Sequence, residues 1–447
     1  MPYILNTNLQ TEEMLRELGL SSWEELFHHL PPQIKIKGNL NLPCGLSEHS
    51  LREVMEDIGS KNIPIDEFNS FLGAGIYDHY VPSALEHIVS RCEFYTSYTP
   101  YQPECSQGVL QALYEYQTYI CLLTGMDVTN ASLYDGASAL GEAVLMSLRL
   151  QNNRNKVLIA YSVHPEYRRV LATYIGGGDF SLQIVPFTSQ GFIDLEFLEN
   201  NLDGNSSCFV LQSPNFFGLI EDLDKVSAIL KDRGVLFILV TNPLSLAMLK
   251  EPYKLGVDII CGDGQVLGGN LNLGGPTFGF LATKSEYLRQ LPGRIVGRTI
   301  DIVGNSCFCL TLQTREQHIK REKATSNICS NQSLNAISAS IYLSLLGKDG
   351  LKKVWLYSFN LAHYLYQRLK DLECVSLPFG ERFFNEFVWQ IEGANRLLNR
   401  LAKKKILAGL SIGNYYPQLK NCILSACTEK KKASDIDELI ENIKKLV

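Results

Sequence analysis

Apolar runs of strand length alternate with stretches of helical spacing through the middle of the chain. The mostly apolar runs are KVLIA, LQIVPF, CFVLQ, VLFILV, VDIIC and FGFLAT, at residues 156–160, 182–187, 208–212, 235–240, 257–261 and 278–283. Helical spacing marks residues 110–123, 137–150, 164–175 and 222–231. Continuous apolar strands separated by helices of about a dozen residues are typical of parallel sheets covered on both sides. The pattern therefore predicts an α/β fold whose mostly parallel central sheet has helices on both faces.

The two ends of the chain have a different pattern. Up to residue 68 we expect short helices, the first of them capped by Thr11. A helix rich in Ala and Ser is expected over residues 327–346. After Gly350, helices alternate with the strands FVWQI and CILSAC before a last helix capped by Ser434. We therefore expect an N-terminal helical segment, a large α/β domain and a smaller C-terminal α+β domain, at residues 1–68, 69–346 and 347–447.

Composition narrows the class of protein. The 447 residues are 45 % hydrophobic and 20 % charged with a net charge of −6, which is ordinary for a globular protein and favours no nucleic-acid partner. The apolar runs are far shorter than the ~20 residues of a membrane span, and we expect no signal peptide from MPYILNTNLQTEE. The 12 cysteines and 8 histidines have no metal-ligand spacing. The composition therefore predicts a cytoplasmic protein with reduced thiols, without a membrane, nucleic-acid or metal partner.

The segment REQHIKREKATSNICSNQ, residues 315–332, is the first candidate for chemistry. It places cationic side chains close together and then changes to small polar ones: Arg315, His318, Lys320, Arg321 and Lys323, followed by Thr325, Ser326 and Asn327. Cations beside hydroxyls and free backbone N–H groups can bind a phosphate or a carboxylate. The alternative is a solvated helix face, although a plain surface helix has no need of the polar, β-branched break ATSNICSNQ.

A second candidate is the aromatic segment FYTSYTPYQPE, residues 94–104. Its polar-tipped side chains are Tyr95, Tyr98, Tyr101, Gln102 and Glu104. Such a density of tyrosines beside polar groups can line a channel or a subunit interface. The alternative is a rigid, partly exposed loop that packs on its own domain.

The segments after the predicted strands test whether the chain can hold a cofactor itself. A large α/β domain followed by a small α+β domain suits a fold type I pyridoxal phosphate (PLP) enzyme. Such an enzyme needs a lysine after a late strand and a carboxylate that pairs with the pyridinium nitrogen. No lysine occurs between Asp258 and Gly279, and Asn242 stands where the carboxylate is expected. The glycine-rich loop 262–270 allows close approach to a ligand but is equally typical of a tight turn.

Longer motifs connect the chain to a known family. FLGAGIYDHYVP, EFYTSYTPYQPECSQG, TGMDVTNASLYDGASAL, HPEYRRVL, SPNFFGLIEDL, PGRIVGRTID and LTLQTREQHIKREKATSNICSNQ together resemble the α subunit of two-subunit glycine decarboxylase. That enzyme is the P-protein of the glycine cleavage system. The resemblance covers essentially the whole chain, and motifs of this length and number are very specific.

The resemblance implies a function for a chain that lacks the PLP lysine. In this family the homologous β subunit holds PLP covalently, and the α subunit completes the site across the interface, in an αβ heterodimer or a dimer of αβ pairs. The implied reaction decarboxylates glycine, releases carbon dioxide and passes the aminomethyl group to the lipoyl arm of H-protein. The implied partners are therefore the β subunit, lipoylated H-protein and glycine.

The resemblance also suggests roles for the two candidate segments. Arg321, Lys323, Tyr95 and Glu104 are the predicted catalytic residues. The predicted contacts to the cofactor phosphate are Thr325, Ser326 and Asn327, and those lining the path of the lipoyl arm are Tyr98, Tyr101 and Gln102.

Two other functions stay open from the sequence. One is a self-sufficient fold type I PLP enzyme that uses Lys250, Lys254 or Lys284. The other is a non-catalytic scaffold subunit, which the charge of residues 315–327 argues against because the cores of structural interfaces are depleted in charge.

Overall fold

The apolar runs of the sequence build a central sheet. In the computed structural model, which describes residues 5–36, 38 and 40–447, the strands are β1 (Asn69–Ser70), β2 (Val128–Thr129), β3 (Lys156–Ala160), β4 (Ser181–Val185), β5 (Ser206–Gln212), β6 (Leu236–Val240), β7 (Ile259–Asp263), β8 (Gly279–Thr283), β9 (Ile295–Ile300), β10 (Ser306–Thr311), β11 (Val375–Ser376), β12 (Glu386–Ile391), β13 (Ile406–Leu407), β14 (Leu410–Ser411) and β15 (Cys422–Ala426). A seven-stranded sheet has the order β2-β8-β7-β6-β5-β3-β4. Its strands β4, β3, β5, β6 and β7 are parallel, whereas β8 and β2 are antiparallel to their neighbours. The predicted α/β class with a mostly parallel central sheet is confirmed.

Helices cover this sheet and bury its strands. The α-helices are α1 (Asn8–Glu17), α2 (Glu48–Gly59), α3 (Ser83–Val89), α4 (Gln107–Thr124), α5 (Gly136–Leu150), α6 (Pro165–Ile175), α7 (Leu195–Asn201), α8 (Leu223–Arg233), α9 (Gln317–Lys320), α10 (Ser333–Lys370), α11 (Ala394–Ala402) and α12 (Ala433–Leu446). α5 packs across β5, β6, β7 and β8, with α6 beside it, and α4 packs against α10. Every residue of β6 and β8 is buried. Burial of successive residues means that both faces of these strands are covered.

The start of the chain forms its own unit. The molecule divides into one unit up to Pro64 and another over Ile65–Val447. In the first unit, the Thr7 hydroxyl accepts a hydrogen bond from the Gln10 backbone N–H (3.3 Å), and the Gln10 side chain accepts one from the Thr7 N–H (2.9 Å). This capping box begins α1 at Asn8, so the predicted cap at Thr11, which lies inside the helix, was wrong.

The C-terminal part contains a second sheet. Strands β11, β12, β15 and β14 are antiparallel, and α10, α11 and α12 share a hydrophobic core with them. α10 begins at Ser333 rather than at residue 327 as predicted, and its backbone is interrupted at Gly347 (φ 57°, ψ −171°). α12 begins after Lys432, whose backbone N–H donates to the Asp435 carboxylate (2.8 Å), so the predicted cap at Ser434 was also wrong. The division into domains 69–346 and 347–447 stays a prediction.

The described residues have two further properties. None of their helices has the length and the apolar character to cross a membrane. No group of three or more His, Cys, Asp or Glu side chains in the same residues is arranged to hold a metal ion.

A cap at the carboxyl edge of the sheet gives a first testable prediction. Asp135 accepts a hydrogen bond from the Ser138 N–H (2.7 Å) and begins α5. We expect Asp135→Ala to lower the free energy of unfolding by ~1 kcal/mol because the helix loses this acceptor. Asp135→Asn, which keeps an acceptor, is the control and should lose less. The measurement is urea unfolding, and equal midpoints for Asp135→Ala and wild type would contradict the prediction.

Candidate functional site

The carboxyl ends of the parallel strands surround a small polar cavity. Its volume is about 50 Å³, and its polar lining includes His164, Tyr167, Gln212, Thr241, Asn242, Asp263, Asn385 and Glu386. A cavity needs a volume of ~10–15 Å³ to hold one water molecule, so this one has room for a few waters. This edge is where open α/β sheets bind ligands, so the lining of the cavity decides whether the chain could hold a cofactor there.

The chain itself fills this position with the segment FLGAGIYDHY, residues 71–80. The Glu386 carboxylate accepts hydrogen bonds from the Ala74 N–H (2.6 Å) and the Tyr77 hydroxyl (2.9 Å). The Gln265 side chain accepts from the Tyr77 N–H (3.0 Å) and donates to the Tyr77 carbonyl (2.9 Å). These hydrogen bonds to the buried Glu386 and Gln265 side chains hold the segment across the strand ends.

The electrostatics of the cavity oppose an anionic ligand. Burial raises the pKa of Glu386 to about 7 and the pKa of Asp263 to about 6. Burial also lowers the pKa of His164, which favours the neutral imidazole. Asp263 accepts hydrogen bonds from the Gln265 N–H (2.9 Å) and the Thr277 hydroxyl (2.8 Å). Two acidic groups and a neutral histidine offer no cation to a phosphate.

The side chains that PLP would need are also missing at this edge. Among the described residues that line the cavity, none is a lysine. Asn242 has no negative charge, and its oxygen accepts a hydrogen bond from the Leu244 N–H (3.0 Å). Lys250, Lys254 and Lys284 are paired elsewhere, with Asp224 (3.6 Å), Glu251 (2.8 Å) and Asp258. The residues present therefore do not fit PLP in this chain's own cavity.

Glycines of the loop 262–270 serve packing inside the chain. A Cβ atom on Gly264 would lie 2.0 Å from the ring of Phe278. Gly268 has φ +91° and packs against Tyr342, where a side chain would be both strained and crowded. Packing and backbone conformation inside the chain therefore account for these two glycines without a ligand.

The two candidate segments meet elsewhere, at Tyr101. The Tyr101 hydroxyl accepts a hydrogen bond from Arg294 Nη2 (2.8 Å), and its ring meets the edge of the His318 ring at a centroid distance of 5.5 Å. Tyr95 and Tyr98 are exposed, Tyr98 to 81 %. Gln102 and Glu104 are exposed as well. None of the predicted site residues lines the cavity at the strand ends.

Both ends of the segment 315–332 are fixed to the body of the domain. The Arg315 guanidinium donates to the carbonyls of Leu312 (3.1 Å), Gly293 (3.1 Å) and Leu291. At the other end, Asn331 donates to the Ala131 carbonyl (2.7 Å), and the Gln332 N–H donates to the Ser132 hydroxyl (3.1 Å). These contacts also explain why α10 starts late, because the residues before it bond to a distant loop. Arg315 is therefore a structural residue.

The middle of the segment projects outward. Arg321, Lys323 and Asn327 are exposed, while Thr325 and Ser326 are half-buried. Arg321 has φ 54°, a backbone conformation that side chains other than glycine rarely adopt. Within the part of the chain that the structure describes, neither the Arg321 nor the Lys323 side chain lies in an ion pair. The Arg315 side chain, in contrast, is held by hydrogen bonds to backbone carbonyls. A strained, free cation on an anchored loop is typical of a functional position.

Two buried residues beneath this surface were not predicted. Arg294 donates a hydrogen bond to Tyr101 of the aromatic segment and pairs with Glu316, the second residue of the segment 315–332, which in turn lies close to His318. The signal in the sequence was weak: an arginine directly before the apolar pair Ile295–Val296, and a glutamate inside a charged run. Their pairing depends on the fold and not on local spacing.

Comparisons with known proteins agree on one family. A model of the family described as glycine cleavage system P-protein matches residues 1–443. A relative from Carboxydothermus hydrogenoformans named probable glycine dehydrogenase (decarboxylating) subunit 1 is 48 % identical over 99 % of both chains. The crystal structure of a glycine decarboxylase (P-protein) of the glycine cleavage system, in inhibitor-bound form, superimposes with a TM-score of 0.92 at 40 % identity over 100 % of both chains.

A more distant structure shows the fold alone. A sphingosine-1-phosphate lyase from Burkholderia pseudomallei superimposes with a TM-score of 0.65 at 14 % identity, covering 93 % of this chain and 94 % of that one. The architecture is that of fold type I PLP enzymes, as the sequence predicted.

Proposed function

The chain belongs to the glycine cleavage system P-protein family, and we propose that it is the α subunit of a glycine dehydrogenase (decarboxylating). The name subunit 1 of its relatives implies a second subunit. With that β subunit, the chain decarboxylates glycine, releases carbon dioxide and passes the aminomethyl group to the lipoyl arm of H-protein. We expect the complex to be an αβ heterodimer or a dimer of αβ pairs in the cytoplasm.

The cofactor position carries this proposal. PLP, when bound, supplies an electron sink for the loss of the glycine carboxyl group. We propose that a lysine of the β subunit holds it and that the present chain completes the site across the interface. The supporting observation is that residues 71–80, bonded to Glu386, lie across the strand ends of this chain, and that none of the described residues lining the cavity left there is a lysine. That cavity does not suit PLP, which argues against a self-sufficient PLP enzyme.

The exposed surface around Arg321 supplies the residues for the shared site. Arg321 and Lys323 would neutralise the substrate carboxylate or the cofactor phosphate, and the phosphate would accept hydrogen bonds from Thr325, Ser326 and Asn327. Tyr95 and Glu104 would lie close to the substrate. The path of the lipoyl arm would be lined by Tyr98, Tyr101 and Gln102. The free, strained Arg321 argues against a purely structural subunit, since a scaffold has no use for such a conformation.

Cofactor trapping tests which subunit holds PLP. We expect the isolated chain to show no covalent PLP after borohydride reduction and peptide mass mapping, because none of the described residues that line its cavity is a lysine. The complex should be labelled on a lysine of the β subunit. As a control, Lys250→Arg in the complex should give the same spectrum and the same labelled peptide. Covalent PLP on Lys250, Lys254 or Lys284 of the isolated chain would instead establish a self-sufficient enzyme.

A further inference from the structure

A buried ion pair lies beneath the point where the two candidate segments meet. The side chains of Arg294 and Glu316 are 7 % and 9 % exposed, and Arg294 Nε lies 3.6 Å from Glu316 Oε2. Arg294 directly precedes β9, whereas Glu316 is the residue before α9. The pair therefore ties the start of the segment 315–332 to the start of β9.

Each member of the pair also contacts one exposed candidate side chain. Arg294 donates to the Tyr101 hydroxyl, and its guanidinium carbon lies 5.2 Å from the centroid of the Tyr101 ring. Glu316 Oε2 lies 3.6 Å from His318 Nδ1. Because the rings of Tyr101 and His318 also touch, the four side chains form a closed circle of contacts. Each of the four side chains therefore contacts two of the others.

The spare hydrogen-bonding groups of the pair raise the question of an anion site. Among the described residues, Arg294 Nε and Nη1 and Glu316 Oε1 have no hydrogen-bond partner. An anion bound at Arg294 would, however, also face the Glu316 carboxylate, which already balances the guanidinium charge and would repel it. The strongest contact of Arg294 to an exposed side chain is the one to the Tyr101 hydroxyl. The geometry of Arg294 therefore fits a role in orienting Tyr101 better than a role in binding a ligand.

We propose that Arg294 and Glu316 are positioning residues for the shared site. Arg294 fixes the hydroxyl of Tyr101, and Glu316 fixes His318 and the start of α9. The aromatic segment and the segment 315–332 therefore keep one relative arrangement. This inference rests on the proposed function, in which Tyr101 lines the path of the lipoyl arm. An anchored Tyr101 presents one surface to the arm, whereas a half-exposed tyrosine without its anchor samples several rotamers.

Steady-state kinetics of the αβ complex with lipoylated H-protein test the role of Arg294. We expect Tyr101→Phe and Arg294→Gln each to raise the KM for H-protein about tenfold, as for a lost hydrogen bond to a charged group. The KM for glycine should stay unchanged. The double variant should be no worse than Arg294→Gln, because both changes remove the same contact. Arg298→Gln is the matched control, an exposed arginine on β9 that contacts Ser306, and should behave as wild type.

A conservative variant keeps the test decisive if Arg294→Gln does not assemble. Arg294→Lys keeps a charge opposite Glu316 but not the planar fork, so its KM for H-protein should lie between those of wild type and Arg294→Gln. A wild-type KM in Arg294→Lys would overturn the inference. Effects of Tyr101→Phe and Arg294→Gln that multiply in the double variant would overturn it as well. No effect of Tyr101→Phe, which keeps the ring and loses only the anchored hydroxyl, would overturn it too. A wild-type KM in Tyr101→Ala would mean instead that the proposed role of Tyr101 fails.

Discussion

Turnover of the assembled complex is expected to fall by about a hundredfold or more when Arg321 is replaced by alanine, since truncating one partner of a buried charged contact costs ~2–5 kcal/mol. Arg321 is exposed and free of ion pairs in the described part of this chain, so its charge is available to an anionic group at the interface. Its position between two anchored ends of the segment 315–332 limits where the guanidinium can point.

The backbone of Arg321 allows function to be separated from stability. A residue other than glycine in such a conformation costs ~1–3 kcal/mol, whereas the flexibility of glycine costs ~0.5–1 kcal/mol in the unfolded chain. Arg321→Gly should therefore leave the free energy of unfolding unchanged or raise it by about 1 kcal/mol, while turnover is lost as in Arg321→Ala.

These expectations are checked by turnover of the complex and urea unfolding of the chain. Arg298→Ala, which removes an exposed arginine from β9, serves as the control for general loss of positive charge. An unchanged rate for Arg321→Ala would exclude the carboxylate or phosphate role. Loss of turnover together with loss of folding in Arg321→Gly would mean that the backbone conformation is not strained.

The central sheet could be predicted because its signal is local. Strand β6 is apolar along its whole length and β5 is apolar from Cys208 to Leu211, which already indicates burial on both faces. Helix starts were less predictable, because several polar residues compete for the cap. Thr7 caps α1 in place of Thr11 since Gln10 completes a capping box with it, and Asp435 rather than Ser434 accepts the hydrogen bond of the Lys432 N–H, directly before α12.

The candidate site could be predicted only in its exposed parts. The tyrosines and cations stand out by type and spacing, and the structure brings Tyr101 and His318 together. Arg294 and Glu316 did not stand out, because their importance comes from contacts between segments far apart in sequence, such as Arg294 with Tyr101. The absence of a lysine after β7 was visible in the sequence, but the segment that fills the cavity was not, since its partners Gln265 and Glu386 come from remote strand ends.

The second large prediction concerns Glu386, whose contribution to the stability of the folded chain is expected to fall as the pH rises from about 4.5 to 7. Burial raises the pKa of this carboxyl from 4.5 to about 7, so between these values the folded chain holds a proton that the unfolded chain has released. Stability decreases with pH wherever the folded state binds more protons. At 1.36 kcal/mol per unit, the loss is roughly 3 kcal/mol once the pH is above 7. Of the other titratable groups that line the cavity, Asp263 has a pKa raised in the same direction, and Tyr77 stays neutral because its pKa is raised well above 10. The pKa of His164 is lowered by burial, so its own contribution to stability rises with pH and opposes that of Glu386.

A glutamine in place of Glu386 isolates this contribution, because an amide fills the same space and does not titrate. The amide oxygen can still accept from the Ala74 N–H, and the Tyr77 hydroxyl can reverse its role and accept from the amide nitrogen. The thermal midpoint of Glu386→Gln relative to wild type should therefore rise between pH 5 and pH 8, with the variant gaining most above pH 7. Glu386→Ala, which leaves a void and an unpaired Ala74 N–H, should lose stability at every pH. Parallel profiles of wild type and Glu386→Gln would mean that this carboxyl ionises normally, and the strand-end cavity would then be open enough to water to admit a ligand after all.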